Sequence, residues 1–147
     1  MASTKGWSMI EDKNTMQNPE NGSIKDKKKL HKSLEDNVDL FKEIFHGDDT
    51  FYVRFFTNQE QSQARFCLLF INGMVGVETA NRNIIQPVIQ STLPKDYKGN
   101  IESILNKVVL ANNAEKQSDV DELVTGIIRG ESVLLMEHCE EAFIKAY

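Results

Sequence analysis

Cysteine and long apolar runs are both scarce in this sequence. Cys67 and Cys139 are the only two cysteines among 147 residues, and they form no C-x-x-C pair. No apolar stretch approaches the roughly 20 residues that a membrane helix requires, and residues 1–23 contain no apolar segment typical of a secretory signal. We therefore expect a soluble chain in a reducing compartment, with both cysteines free.

The sequence motifs of common enzyme classes are also missing. The phosphate-binding motif G-x-x-x-x-G-K-[ST], the dinucleotide motif G-x-G-x-x-G and the nucleophile motif G-x-S-x-G do not occur. Gly73 and Gly76 follow an apolar segment, as in a phosphate loop, but a turn that leaves a strand explains them more simply. The sequence therefore predicts no catalytic residue, no cofactor-binding residue and no enzymatic activity.

The residues that could bind a metal are widely separated along the chain. His31, His46 and His138 lie far apart, and His138 with Cys139 supplies two of the four ligands that structural zinc prefers. We therefore predict that the protein has no metal site.

Charged residues on the predicted helices have structural explanations. Glu78 and Arg82 are four positions apart, so we expect them to pair on a helix surface rather than to act as acid and base. Asp119, Asp121 and Glu122 fall in the first turn of a predicted helix, where carboxylates interact favourably with the helix dipole.

The net charge of −5 is unevenly distributed. Residues 1–32 contain seven lysines and four acidic residues, whereas the remainder contains 10 basic and 18 acidic residues. An acidic body argues against nucleic-acid binding, which requires a basic surface. The basic segment is either a solvated linker or a contact for an anionic membrane surface or an acidic partner. Its lysines are Lys25, Lys27, Lys28, Lys29 and Lys32.

The sequence divides into a polar tail, residues 1–29, and a folded domain, residues 30–147. The tail lacks apolar periodicity, so it cannot bury enough surface to offset the entropy of ordering, and we predict disorder. Trp7, Met9 and Ile10 form its one apolar cluster, which is either a docking spot or has no role.

The first half of the domain predicts a helix and two strands. Ser33 is the expected helix cap, with Asp36 three residues later, and Gly47 is the expected stop. The alternating residues 51–57 predict a strand. Residues 64–71 are apolar on both faces after Arg65, as in a central strand with helices on both sides.

The second half predicts further helices and strands. A helix over residues 77–91 is expected to kink or restart at Pro87, which lacks a backbone donor. Residues 108–111 form a weaker strand prediction. A helix capped by Ser118 is expected to end at Gly130, followed by strands at residues 131–137 and 142–147. The fold class that follows is α/β, with one mixed sheet of about four strands and packed helices.

Four segments resemble the GerA-type spore germinant-receptor A subunit family of endospore-forming bacteria. They are residues 51–56 (FYVRFF), 64–76 (ARFCLLFINGMVG), 84–88 (IIQPV) and 121–136. Each segment is mostly apolar pattern plus glycine, and their order and spacing carry the resemblance. The sequence departs from the family pattern at Asn72, where aspartate is usual, and at residues 138–141, where the family has glycine in the turn.

The resemblance implies that this chain is the first part of a longer receptor subunit. The family has a cytoplasmic region of two small α/β subdomains before a membrane bundle, and it works with B and C subunits in the spore inner membrane. Amino acids, sugars or nucleosides trigger such receptors, and ion and dipicolinate release follow. We therefore expect a non-enzymatic domain for signal transmission and subunit assembly, facing the cytoplasm, with membrane contact only through downstream segments.

Two other functions stay open at this point. The apolar strand at residues 66–71 could line a pocket for a small-molecule germinant, which would make the domain a sensor. A small hydrolase or transferase is the third candidate, although no nucleophile and base are paired in the sequence. We also expect weak self-association, because a chain ending within a strand at residues 142–147 would present an unpaired edge.

Overall fold

The computed structural model describes residues 28–105 and 114–145 of the chain. No helix within these ranges is both long enough and apolar enough to cross a membrane. In chain order, the helices and strands are α1 (Leu34–Ile44), β1 (Phe51–Thr57), β2 (Arg65–Ile71), α2 (Val77–Ala80), a π-helical turn (Asn81–Ile85), α3 (Gln86–Gln90), α4 (Glu102–Leu105), β3 (Ala114–Gln117), α5 (Val120–Ile128), β4 (Ser132–Met136) and β5 (Ala142–Lys145).

The strands form one sheet in the order β1-β2-β4-β5-β3. All four neighbouring pairs are antiparallel. The prediction of an α/β fold with one sheet and packed helices is confirmed, and the described sheet has five strands where about four were expected. The expectation of a mixed sheet was wrong, because β3 and β4 run parallel across α5 but lie on opposite sides of β5. The two parallel strands β3 and β4 are therefore not hydrogen-bonded to each other.

Strand β3 was missed in the sequence because its four residues, AEKQ, have a polar pattern that does not favour a strand. It lies at one edge of the sheet and pairs with β5. An edge strand needs few apolar residues, since one of its sides faces solvent. The strand predicted at residues 108–111 lies outside the described residues.

Strand β2 has the central position that its two-sided apolar pattern predicted. Phe66, Leu68 and Phe70 point into one core, while Cys67 and Leu69 point into the other, and all five are fully buried. The first core lies between the sheet and the segment from α2 to α4. The second core lies between the sheet and the helices α1 and α5. Burial on both faces explains why the strand reads as a continuous apolar run.

Helix α1 begins where the sequence predicted. Ser33 is its N-cap, and the backbone N–H of Asp36 donates to Ser33 Oγ at 3.2 Å. Leu34, Val38 and Phe41 are buried against the sheet. Ile44 continues the apolar spacing of these residues, from which the sequence predicts burial, but it is 41% exposed. Beyond the helix, Gly47 takes the left-handed backbone conformation, with φ of 87°.

Helix α5 begins one residue later than predicted. Its N-cap is Asp119 rather than Ser118, and the Asp119 carboxylate accepts hydrogen bonds from the backbone of Asp121 and Glu122 at 2.9 and 3.3 Å. The Ser118 backbone N–H instead donates to the Gln117 side chain at 3.1 Å, which places Ser118 in the preceding turn.

The carboxyl end of α5 confirms one expectation and corrects another. Gly130 has φ of 98°, the left-handed conformation that the sequence predicted for it. The apolar spacing of Val120, Leu123, Val124, Ile127 and Ile128 predicts one buried stripe, but Ile128 is 60% exposed. The stripe ends at Ile127, which is fully buried in the second core.

The described chain begins two residues before the predicted domain boundary. Lys29 forms an antiparallel bridge with Asp119. The Leu30 N–H donates to Ser118 O at 3.0 Å, and the Val120 N–H donates to Lys28 O at 2.9 Å. Residues 28 and 29, which we assigned to the tail, thus pair with the start of α5. Residues 1–27, including the predicted apolar cluster, lie outside the described residues.

Strand β5 does not present the unpaired edge that was predicted for the end of the chain. It lies between β4 and β3 and pairs with both of them. Every residue of β4 is buried as well. The open edge on which weak self-association was expected is therefore covered, and that argument was wrong. Residues 146 and 147 lie outside the described residues.

Candidate functional site

A groove lies at the end of the sheet where β1 runs into β2. Its volume is about 340 Å³, and three phenylalanines form its apolar wall while a glutamate and an arginine supply charge. Phe55 is 43% exposed, which is unusual for a residue of its size. The residues that line the groove are Glu35, Phe55, Phe56, Thr57, Arg65 and Phe66.

The charged side of the groove joins three parts of the chain. The Arg65 guanidinium lies 2.8 Å from the Glu35 carboxylate and 3.6 Å from that of Glu137. Glu137 also accepts a hydrogen bond of 2.6 Å from the backbone N–H of Leu34, the first residue of α1. A carboxylate at a helix N-terminus is stabilised by the helix dipole. Arg65 and Glu137 therefore fix α1 to the sheet at the mouth of the groove.

Asn58 holds the hairpin turn that follows the groove. This side chain is 1% exposed, and its oxygen accepts hydrogen bonds of 3.0 Å from the backbone N–H groups of Glu60 and Gln61. Its amide nitrogen donates to Val88 O at 2.9 Å and to Ser91 O at 2.7 Å. The turn between β1 and β2 is thereby fastened to the end of α3.

The segment to which Asn58 binds contains the predicted helix restart. Helix α2, the π-helical turn and α3 follow one another without a break, and Pro87 is the second residue of α3. Within a continuous helical segment, proline removes one backbone hydrogen bond to the preceding turn. The π-helical turn directly before α3 accommodates this restart inside one helical segment.

Gly73 and Gly76 shape the turn after β2, as the simpler interpretation proposed. Gly73 has φ of 106°, a conformation that other residues rarely adopt. Gly76 precedes α2, which has only four residues. A side chain at Gly73 would meet no atom within 4 Å, so backbone conformation rather than space requires glycine there.

The three histidines take part in no metal-binding cluster of the described residues. His31, His46 and His138 are all exposed, while Cys139 beside His138 is buried in the first core. Among residues 28–105 and 114–145, no group of three or more histidine, cysteine, aspartate or glutamate side chains could hold a metal ion.

The remaining charged candidates have different roles from one another. Asp119 is the cap of α5, while Asp121 and Glu122 are exposed in its first turn. Glu78 and Arg82 are both exposed, and no ion pair joins them in the part of the chain that the structure describes. The expectation that this pair forms was therefore wrong, since the π-helical turn begins at Asn81 and changes the spacing between them.

The two cysteines are free thiols on opposite sides of the sheet. Cys67 belongs to the second core and Cys139 to the first, so the sheet separates them. Burial raises the pKa of Cys67 to about 12, and burial also raises the pKa of Cys139. Neither residue presents the thiolate that nucleophilic chemistry requires.

A second groove is formed where the start of the described chain meets the turn between β4 and β5. Its volume is about 470 Å³, and its lining is mostly polar. His138 in this turn has a φ of 69°, the left-handed conformation that favours glycine. This position lies in the turn where the GerA family has glycine. The lining residues are Lys32, Gly99, Ser118, His138, Glu140 and Glu141.

Sequence reasoning missed the residues that build the first groove. Asn58 was interpreted only as part of a polar turn, and Glu35 and Arg65 are 30 positions apart. An asparagine directly after a strand and an arginine at the start of the next one were the available signals. Their partners on α1 and α3 are visible only in the folded chain.

The fold and these grooves define a small α/β domain in which one antiparallel sheet is covered by helices on both faces. Residues 39–147 match the family model described as Bacillus/Clostridium GerA spore germination protein. This match covers well over half of the chain, so the protein belongs to the GerA family of spore germination proteins, and the sequence resemblance is confirmed. No curated protein matched the chain by sequence.

A solved structure is similar to this chain in fold. It is the crystal structure of the N-terminal domain of the A subunit of the Bacillus megaterium spore germinant receptor GerK3. The TM-score is 0.67 at 17% sequence identity, and the match covers 82% of this chain and 48% of the other. The chain therefore spans about half of that solved domain, and at this identity the similarity concerns the fold.

Proposed function

We propose that this chain is a non-enzymatic domain of a spore germinant receptor A subunit, and that it transmits the state of the receptor by docking to neighbouring parts. The observation that carries the proposal is the GerA family match over residues 39–147, together with the fold shared with an A-subunit domain. Function in a receptor assembly requires packed surfaces rather than a reactive centre.

The use of charged residues in the described structure supports this proposal. Asp119 caps α5, Glu137 holds the first turn of α1, and Arg65 joins Glu35 to Glu137. These charged side chains are thus engaged in holding one structural element to another. Because these contacts hold the helices to the sheet, a displacement of one helix can be transmitted through the domain to another surface.

The wider setting of the domain follows from the same proposal. The partners would be the receptor B and C subunits, and the location would be the spore inner membrane, with this domain on the cytoplasmic side. Residues 1–29 would form a tail and residues 30–147 a subdomain of a longer receptor chain. An amino acid, a sugar or a nucleoside would start the signal.

A germination assay on spores tests the proposal. Leu69→Asp in the full-length protein places a carboxylate in the second core and should disrupt the domain. Spores that carry it should fail to release dipicolinate in response to the germinant of this receptor, while responding normally to germinants of other receptors. Arg82→Ala, at an exposed position, is the matched control. Normal germination of the Leu69→Asp spores would contradict the proposed role.

A second candidate function is germinant binding in the first groove. Arg65 and Glu35 carry the two charges that an amino acid zwitterion would complement, and Phe55, Phe56 and Phe66 offer an apolar wall. The volume of about 340 Å³ lies at the small end of the range for ligand sites. Of the strand proposed as a pocket wall, Phe66 alone lines the groove. It is fully buried, as are residues 67–70.

Calorimetric titration of the 147-residue chain with amino acids separates the two candidates. Binding that is lost in Arg65→Gln, with an unchanged unfolding midpoint, would establish the groove as a sensor site. Absence of heat with every amino acid at millimolar concentration would leave docking as the function of the domain.

A further inference from the structure

Strand β1 forms one edge of the sheet and presents an open row of backbone groups. In antiparallel strands, residues alternate between pairs that exchange hydrogen bonds and pairs that do not. The Asn72 N–H donates to Thr50 O at 2.7 Å, and the Asn58 N–H donates to Ala64 O at 3.1 Å. The register between them therefore directs the backbone of residues 52, 54 and 56 toward β2. Val53, Phe55 and Thr57 direct their N–H and C=O groups outward.

Nothing in residues 28–105 and 114–145 pairs with this outer row. No backbone group of those residues bonds to the outward N–H or C=O groups of Val53, Phe55 or Thr57. The edge is seven residues long and rich in aromatic side chains. Protected edges are often short or bulged, whereas β1 pairs with β2 in an unbroken register over all seven of its residues. The edge of β1 therefore has the features of a strand that accepts another strand.

The centre of this edge carries one positive charge. Arg54 lies between Tyr52 and Phe56 on the face of β1 that packs toward the first core. None of the acidic residues that the structure describes forms an ion pair with Arg54. Its neighbour on β2 is Leu68, which is apolar. The edge thus offers an unpaired cation where an added strand would lie.

The alternation along β1 fixes the position opposite Arg54. In an added antiparallel strand, Val53, Phe55 and Thr57 would exchange the hydrogen bonds. Arg54 would then face a residue of the added strand in a pair without hydrogen bonds, where the two side chains are closest. An acidic residue at that position would be stabilised, and a basic one would be repelled.

A second copy of β1 does not suit this edge. The strand contains no acidic residue, so a second copy would bring another arginine and no carboxylate to the pairing. Pairing centred on Arg54 would place the two guanidinium groups directly opposite each other, which is destabilising.

We propose that the edge of β1 is a strand-addition site for an extended segment of another polypeptide chain, with an acidic residue opposite Arg54 and apolar residues on either side. The outward backbone groups supply the hydrogen bonds, and the groove beside Phe55 and Thr57 receives a side chain from the end of the added strand. This inference rests on the proposed docking function and names the chemistry of the partner.

A pair of synthetic peptides tests the site on the full 147-residue chain. The probe is a capped seven-residue peptide of alternating valine and threonine with glutamate at its centre, and its counterpart has lysine there. Fluorescence anisotropy should show tighter binding of the glutamate peptide. Hydrogen exchange should slow at the amides of Val53, Phe55 and Thr57 when that peptide is added, and not at residues 52, 54 and 56.

Charge reversal makes the test specific. Arg54→Glu should reverse the preference, weakening the glutamate peptide about fivefold and strengthening the lysine peptide similarly. Arg82→Glu, at an exposed arginine of the π-helical turn, is the matched control and should change neither affinity. Phe55→Pro removes an outward N–H and should abolish binding of both peptides. If the Phe55→Pro variant does not fold, the change of peptide preference in Arg54→Glu is sufficient to test the proposal.

Several results would overturn the inference. Equal affinity for the two peptides, or no binding of either, would show that Arg54 does not select an acidic strand. Concentration-dependent dimerisation that Phe55→Pro removes would assign the edge to a second copy. Slow exchange at Val53 and Phe55 in the monomeric chain alone would mean that the chain covers its own edge. Peptide binding with normal germination of Arg54→Glu spores would instead count against the docking function.

Discussion

Replacing Asn58 with aspartate tests how the turn between β1 and β2 is held. The two side chains have nearly the same shape, so the change removes donors without creating a cavity. The oxygen that accepts from the backbone of Glu60 and Gln61 remains. The nitrogen that donates to the carbonyl oxygens of Val88, Ile89 and Ser91 at 2.9, 3.3 and 2.7 Å becomes a carboxylate oxygen facing those three oxygens.

The expected cost follows from these contacts. Two hydrogen bonds at a buried position are worth roughly 1 kcal/mol each, and a buried charge without a partner costs about 3–5 kcal/mol. The two retained backbone donors offset part of the charge. We therefore expect Asn58→Asp to lower the free energy of unfolding by about 3–5 kcal/mol at pH 7. Asn58→Ala, which buries no charge, should cost about 2–3 kcal/mol.

The pH dependence of this cost separates repulsion from simple loss of packing. A buried carboxyl beside carbonyl oxygens has a pKa above its unfolded value, so folding favours its protonated form. The destabilisation is full above the folded pKa and disappears as the pH falls below the unfolded pKa. Between pH 7 and pH 4, the cost of Asn58→Asp relative to wild type should shrink by about 2 kcal/mol. The cost of Asn58→Ala should not change.

Urea unfolding followed by circular dichroism measures these differences, with wild type as the reference at each pH. Asn72→Asp is the matched control, because Asn72 is exposed and the same chemical change should cost less than about 0.5 kcal/mol there. A cost at Asn58 equal to that at Asn72, or one that is independent of pH, would refute the reasoning that Asn58 fastens the turn to α3.

The remaining predictions concern the core, a thiol and the tail. Leu69→Asp should lower the free energy of unfolding by at least about 5 kcal/mol, because it buries an unpaired carboxylate. Arg65→Ala should lower it by about 1 kcal/mol. Similar urea midpoints for the two variants would show that β2 is not central. Cys67 should resist iodoacetamide at pH 8 until the chain unfolds, because its pKa is raised to about 12, and rapid alkylation of the native protein, followed by mass spectrometry, would contradict its burial. Deleting residues 1–27 should leave the melting temperature unchanged. Deleting residues 1–29 should lower the melting temperature, because it removes the backbone bridge between Lys29 and Asp119. A large drop with the shorter deletion would mean that residues 1–27 contribute to the fold.

The local sequence pattern was sufficient to predict the features that depend on neighbouring residues, such as a helix cap, a helix end and a strand buried on both faces. Ser33 as a helix cap and Gly130 as a helix end follow from rules about unpaired backbone groups and glycine. The central position of β2 followed from apolar residues on both of its faces. The family could also be identified, because the order and spacing of short apolar segments are properties of the chain itself.

The site was not predictable in the same way. Glu35, Arg65 and Glu137 lie on three separate elements, and Asn58 bonds to residues 30 and 33 positions away. No spacing in the sequence marks such partners, because each contact depends on how α1 and α3 pack against the sheet.

By itself, the sequence determined the α/β class, the central strand, the cap of α1 and the glycine that ends α5, since burial and capping act on neighbouring residues. The tertiary structure alone decided which strand lies at an edge. Residues 142–145 were expected to be open but are covered by the polar strand β3, whereas β1, with its row of aromatic residues, lies at the opposite edge of the sheet. Strand order depends on contacts between distant segments, and these do not appear in the pattern of any one strand. The surface available to a partner is therefore a property of the assembled sheet.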